Sequence, residues 1–314
     1  QTVTPVDIVW IDGLTDPETV AEVERRVADI DIDAMIATGS LEEYIADDIH
    51  TAFPTMLCTE RPDRFSAGVI GGRVGVLVDG LPLGWLIPGT FGQFFHTPQD
   101  KSQSWVMASA LILLRYLCML TTLFLPALYI AAVTFHLEMI PTRLAQSIIA
   151  AKQDVPFTTI FEVLLMLVAF EIIQEAGLRL PGAIGQTVSI LGGLVVGSAA
   201  VEARIVSPAV LIAVAAAGIA GYTMPSQELA GALRIWRFVL AVLASLGGMF
   251  GVAAGTLVLI CHLAGLESFG VAYLTPFAAN GGRRAGVKAV IRQPLSRVKL
   301  RETALKTRNR RNQR

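Results

Sequence analysis

Residues Val155–Pro181 read VPFTTIFEVLLMLVAFEIIQEAGLRLP. From Phe157 to Ile173 the composition is that of a membrane span, yet the stretch carries Glu162, Glu171, Glu175 and Arg179. A carboxylate at the bilayer centre is disfavoured by about 2.5–3.5 kcal/mol. The segment therefore belongs in the membrane interface, or faces a protein or water-filled interior. Glu171, Glu175 and Arg179 recur every fourth residue, which places them on one helix face in the favourable acid-before-base order. Glu162 falls about 180° away from Glu171 around a helix of about 3.6 residues per turn. The charges are thus not a single acidic stripe. Two readings stand open: an interfacial amphipathic helix whose charges meet headgroups or neighbours, or a helix whose acids line an aqueous path for cations as pore or gate residues.

Outward from this stretch, the bulk numbers favour a membrane protein. Of 314 residues 53% are hydrophobic and 16% charged, with a mean hydropathy of +0.58. An ordinary soluble domain is about 25% charged. The net charge of −1 conceals an asymmetry: residues 1–100 hold 17 acids against 5 Lys/Arg, and residues 281–314 hold 12 Lys/Arg against Glu302. A cationic tail after the last apolar run reads as cytoplasmic and facing anionic lipid. Nucleic-acid binding is not expected of it, since it lacks interleaved aromatics. Cys58, Cys118 and Cys261 are odd in number and far apart, which excludes a disulfide framework or a zinc spacing. The chain begins with Gln1, so it is expected to be a piece lacking its original N-terminus.

Residues 1–100 read as a small acidic α/β domain outside the bilayer. Val6–Ile11 is a strand candidate, and Asp16-Pro17 offers a cap and a first-turn proline for a helix over Glu18–Ile30. Ser40-Leu41-Glu42-Glu43 fits a capping box. Arg73–Val78 and Leu83–Ile87 read as strands joined through Asp79-Gly80. The acids from Asp29 to Asp48 lack the calcium-loop glycine and terminal glutamate, and read as a solvated face.

Residues 101–270 read as an α-helical multi-span membrane domain, and 271–314 as its basic cytoplasmic tail. Four uncharged runs are long enough to cross a core of roughly 30 Å at about 1.5 Å per residue. They are Tyr116–Phe135, Gly182–Val201, Ile205–Gln227 and Phe238–Cys261. Arg115 borders the first and is expected to snorkel to headgroups. The Phe157–Ile173 segment adds an amphipathic or buried helix. Four spans put both chain ends on one side; a fifth would separate them. Gly193 and Gly197 form one GxxxG, and Gly247, Gly251 and Gly255 a double one. Such small residues let helix backbones approach, either within the chain or between subunits about a common axis.

Catalytic signatures are scarce. His50, His96, His136 and His262 are isolated, and His136-Leu137-Glu138 is not a metalloprotease HExxH. There is no phosphate loop, nucleophile elbow or dinucleotide fingerprint, so neither an enzyme nor a cofactor is expected. Four spans without inverted repeats also argue against a secondary transporter.

The ordered pieces Thr59-Glu60-Arg61-Pro62-Asp63, Thr134-Phe135-His136, Glu138-Met139-Ile140-Pro141-Thr142, Val155-Pro156-Phe157 and Glu171…Glu175-Ala176-Gly177-Leu178-Arg179-Leu180-Pro181 lead to a family. Gly185-Gln186, Ser207-Pro208-Ala209 and Ser268-Phe269-Gly270-Val271 with Tyr273-Leu274 complete the series. From about Val6 to about Pro276 the chain resembles the GerA family, the membrane A subunit of bacterial spore germinant receptors and its relative encoded in the SpoVA operon. The resemblance implies an inner spore membrane protein with a cytosolic N-terminal region. It implies work beside a transporter-like B subunit, which binds nutrient, and a lipoprotein C subunit. It further implies homo-oligomers forming a ring-shaped channel that releases cations, with no catalytic residue to carry over.

Overall fold

The computed structural model describes residues 4–33, 38–179, 192–193, 195–277, 290–294, 298 and 300–311, with the side chains of 38–40, 178–179 and 303 outside the description. The described residues are mostly helical, with a four-stranded antiparallel sheet near the N-terminal end and a two-stranded antiparallel one pairing Glu267–Ser268 with Val271–Ala272. It divides into two compact units: residues 1–116, 225–229 and 261–314, and residues 117–224 and 230–260.

The first unit is built on strands β1 (Val6–Val9), β2 (Leu57–Thr59), β3 (Val74–Val78) and β4 (Gly84–Ile87), in the spatial order β1-β3-β4-β2 and all antiparallel. Val74, Val76, Val78, Trp85 and Ile87 turn one face toward helices α1 (Pro17–Ala28) and α2 (Thr38–Ile45), burying Val20, Val23, Leu41 and Ile45. The other face carries Gly75 and Gly84, where a Cβ would strike the Phe65 ring at 2.3 and 2.7 Å. Those glycines let helix α3 (Pro62–Ile70) sit directly on the sheet.

Strands β1, β3 and β4 and helix α1 lie close to where the residue pattern puts them, whereas β2 was not expected, and the β3–β4 turn uses Gly80 at φ 80°. The capping box differs: α2 starts at Thr38, so Ser40 lies inside the helix. Helix α3, unexpected, begins with Pro62 at its first turn.

Helix α4 (Gln99–Ser102) precedes α5 (Trp105–Thr134), 30 residues that start well before the expected Tyr116. Arg115 of α5 does not snorkel. Its guanidinium donates to Asp100 at 2.6 and 2.9 Å and to the Phe95 carbonyl at 2.8 Å. The basic tail, where described, is folded rather than free. Arg292 donates to the carbonyls of Asp100, Lys101 and Gln103, and Glu302 accepts from the buried Arg73 at 2.9 Å.

The second unit holds α6 (Thr142–Lys152), α7 (Thr159–Arg179), α8 (Pro208–Gly221) and most of α9 (Gln227–Gly265). Among the described residues, α5 and α9 are long and apolar enough to cross a membrane, with 33% and 39% of their most apolar windows buried. Most of that apolar surface is thus uncovered by the chain, as a bilayer-facing helix requires.

The four expected spans fare differently. Gly182–Val201 lies for the most part outside the described residues. In Ile205–Gln227 the helix is the 14-residue α8, about 21 Å long at about 1.5 Å per residue, short of a roughly 30 Å core. Pro225 and Ser226 end that run. Ser226 instead caps α9, accepting from the Leu229 N–H at 3.3 Å.

Phe238–Cys261 is also not one straight span. Gly248 inside α9 has φ 56° and ψ −136°, a conformation essentially restricted to glycine. Beyond it the chain doubles back. A Cβ on Gly251 would lie 2.0 Å from the Leu243 carbonyl oxygen, and one on Gly255 would lie 2.7 Å from both Leu240 and Leu243 side chains. In a straight helix residues eight apart are separated by about 12 Å. The two arms therefore run antiparallel about Gly248.

Candidate functional site

Helix α7 is formed by Thr159–Arg179 of the Val155–Pro181 stretch, of which Leu180 and Pro181 lie outside the described residues. Thr158 and Thr159 precede its acids, and its apolar run packs Val163, Met166 and Leu167 inward. The two acids on opposite sides of this helix meet different neighbours, as their spacing requires.

Glu162 is fully buried, with 0% exposure. One carboxylate oxygen accepts from the Ser207 backbone N–H at 2.8 Å, at the start of α8. The other has no hydrogen-bond partner among the described residues. The Lys152 ammonium, at the end of α6, stands 3.9 Å from that oxygen, within ion-pair reach but beyond hydrogen-bond distance, and is itself bonded to Thr159. A buried carboxylate with a vacant lone pair is costly unless a proton or cation compensates it.

Glu171 does not rely on its own helix face. Arg234 and Arg237 of α9 both reach it, Arg234 at 3.4 Å and Arg237 in a closer contact. The Arg237 side chain is 1% exposed, and Glu171 supplies the ion pair that makes this burial tolerable. The Arg237 Nε has no hydrogen-bond partner among the described residues. Sequence reasoning missed both arginines, because they lie 63 and 66 residues away from Glu171. The signal was there in part: Arg234 and Arg237, three apart, flank the last apolar run and had no assigned role.

Glu175 is exposed on α7, and the Arg179 side chain lies outside the described residues. The glycines meet their own chain. A Cβ on Gly193 would lie 3.5 Å from the Phe170 ring and one on Gly197 2.8 Å from the Leu211 side chain, while Gly251 and Gly255 face the first arm of α9. A Cβ on Gly247 would meet, among the described residues, the Phe250 ring at 3.9 Å. Polar glue joins α5 to α8, where the buried Thr122 hydroxyl donates to the Ala217 carbonyl at 3.1 Å.

In the first unit one described group could hold a metal ion. Glu42, Cys58 and Glu228 each offer one ligand atom, all within 4.8 Å of one another. Burial, with the charges of Glu228, Glu42 and Glu60, pushes the Cys58 thiol up to about 12, so it keeps its proton. Burial also raises Glu42, against the indole N–H that Trp85 donates to it at 3.1 Å. The three residues come from α2, β2 and the first turn of α9, so no local spacing announces them.

The sequence profile described as Bacillus/Clostridium GerA spore germination protein matches residues 1–304. The chain is 43% identical over 275 residues to the uncharacterized membrane protein YfkQ of Bacillus subtilis, covering 88% of this chain and 54% of that protein. It is 41% identical over 298 residues to spore germination protein B1 of the same organism, 95% of this chain and 62% of that one. To spore germination protein GerLA of Bacillus cereus it is 37% identical over 304 residues, 97% and 62%. The chain thus spans little more than half the length of these relatives. No solved structure matches it. With its ordered motifs matched across nearly the whole length, the chain belongs to the GerA family of spore germination proteins.

Proposed function

We propose that this chain is the membrane core of an A-type subunit of a spore germinant receptor, and that copies of it assemble to form or gate a path for monovalent cations across the inner spore membrane. Its partners would be a transporter-like B subunit and a lipoprotein C subunit, with the basic tail and the acidic N-terminal unit on the cytoplasmic side. The family supports the role in germination. The observation that carries the ion-path reading is Glu162, a fully buried carboxylate with one oxygen that, among the described residues, has no hydrogen-bond partner and has Lys152 at ion-pair distance. Intramembrane carboxylates of this kind mark ion or proton pathways.

Glu171 favours a second reading for its part of the site. Two arginines already neutralise it, so it suits a structural clamp or a signal relay better than a conducting surface. A scaffold that passes the signal from the B subunit without conducting would use such a clamp.

The test is to replace Glu162, Glu171 and Glu175 singly by Gln in the intact protein and follow potassium release from spores exposed to nutrient. The proposal expects Glu162→Gln to slow or abolish release while protein level is maintained. Unchanged release in all three variants removes these acids from the path. A ring with a continuous axial path favours the channel, and a monomer favours the scaffold.

A further inference from the structure

Residues Gln227–Gly265 pass for a long crossing helix by composition, but the backbone turns within them. Leu243 lies against Gly251, and Leu240 and Leu243 lie against Gly255. Both pairings are centred within a residue of Gly248. The uncharged part of the first arm, Phe238–Gly247, is 10 residues, and that of the second, Met249–Cys261, is 13. At about 1.5 Å per residue these arms reach roughly 15 and 20 Å, against a hydrocarbon core of roughly 30 Å. Polar groups stand at both feet. Arg237 is tied to Glu171, and Arg234 and His262 each lie fourteen residues from Gly248.

The turn itself breaks the hydrogen-bond ladder. The last carbonyls of the first arm and the first N–H groups of the second have no helical partners. Non-helical backbone at membrane depth is tolerated only where protein covers it or water reaches it, never against lipid. Phe135 covers one side, 3.0 Å from where a Cβ on Gly248 would sit. The flanking Leu246 and Phe250 are 76% and 81% exposed.

We infer that Gln227–Gly265 is a re-entrant hairpin, entering and leaving the membrane on one face, with its Gly248 turn on a water-filled path inside the bilayer. The inference rests on the proposed ion path and names the backbone element that lines it. The carbonyl end of the first arm would face a permeating cation with the negative end of its helix dipole.

The experiment is thiol labelling of the full-length protein in sealed vesicles of known orientation. In a background with Cys58 and Cys118 replaced by Ser, native Cys261 reports the second foot. With Cys261 also replaced, Gln227→Cys reports the first foot, Phe250→Cys and Leu246→Cys the turn, and Leu120→Cys on α5 an apolar reference. Leu246 and Phe250 are exposed, so their replacement leaves the fold intact.

Both feet should react with polyethylene-glycol maleimide from the same side. The turn should resist that bulky reagent from the far side, yet react with a small cationic methanethiosulfonate about ten-fold faster than Leu120→Cys. Feet labelled from opposite faces would overturn the hairpin. Bulky labelling of the turn from the far side would make the arms two full spans, and a turn as slow as Leu120→Cys would place it in lipid; either overturns the inference. The labelling reads topology alone, so it can succeed where potassium release fails, and the reverse.

Discussion

At the scale of single residues, burial of charge in this chain goes with an ion-pair partner from elsewhere in the fold. Arg237 is enclosed because Glu171 faces it. Glu171→Gln leaves that guanidinium buried and unpaired, at a cost of about 3–5 kcal/mol. Thermal unfolding in detergent should show the loss, and adding Arg237→Met should restore most of it. No recovery in the double variant would mean that the pair is not the clamp described. Asp100 belongs to the first unit. Burial pushes its carboxyl up, but the bonds from Arg115 and Thr97 outweigh this and hold it below the usual aspartate range. Since its folded value is the lower, the pairing stabilises at pH above the ordinary aspartate range and is lost as the pH falls through the folded value. Asp100→Asn should therefore weaken the protein at neutral pH and flatten the acid limb of its stability curve. An acid limb identical to that of the parent would show that other groups set it.

At the scale of elements, the glycines of α9 should rank by what their Cβ would meet. Gly251→Ala pushes into the Leu243 backbone and should destabilise most. Gly248→Ala combines a left-handed φ with the Phe135 contact and should follow, whereas Gly247→Ala should be mild. Equal effects at Gly247 and Gly251, read by thermal unfolding, would argue for a straight helix.

The same elements show what residue pattern could and could not reveal. The β3–β4 hairpin was readable from Asp79-Gly80 between two apolar runs, and α1 from Asp16-Pro17. Helix α3 was equally readable from Arg61-Pro62-Asp63, where a proline suits the first turn. The Gly248 turn was not, because a Gly-Gly pair within an apolar run is compatible with a continuous membrane helix. Within the site, the opposed faces of Glu162 and Glu171 followed from their spacing of nine. Their partners did not, since Ser207, Arg234 and Arg237 are brought in by other helices.

At the scale of the whole molecule, the chain joins a sheet-based unit to a helical unit that buries carboxylates among apolar helices. Members of its family carry spore germination in their names, and the proposed ion path draws on the buried Glu162 and the α9 turn. The most direct measurement is potassium efflux from vesicles holding the purified full-length protein with the proposed B and C partners, alongside the assembly's subunit count. The account predicts a closed ring of copies and a potassium flux that Glu162→Gln suppresses. A monomeric protein in vesicles that stay potassium-tight under nutrient would contradict it.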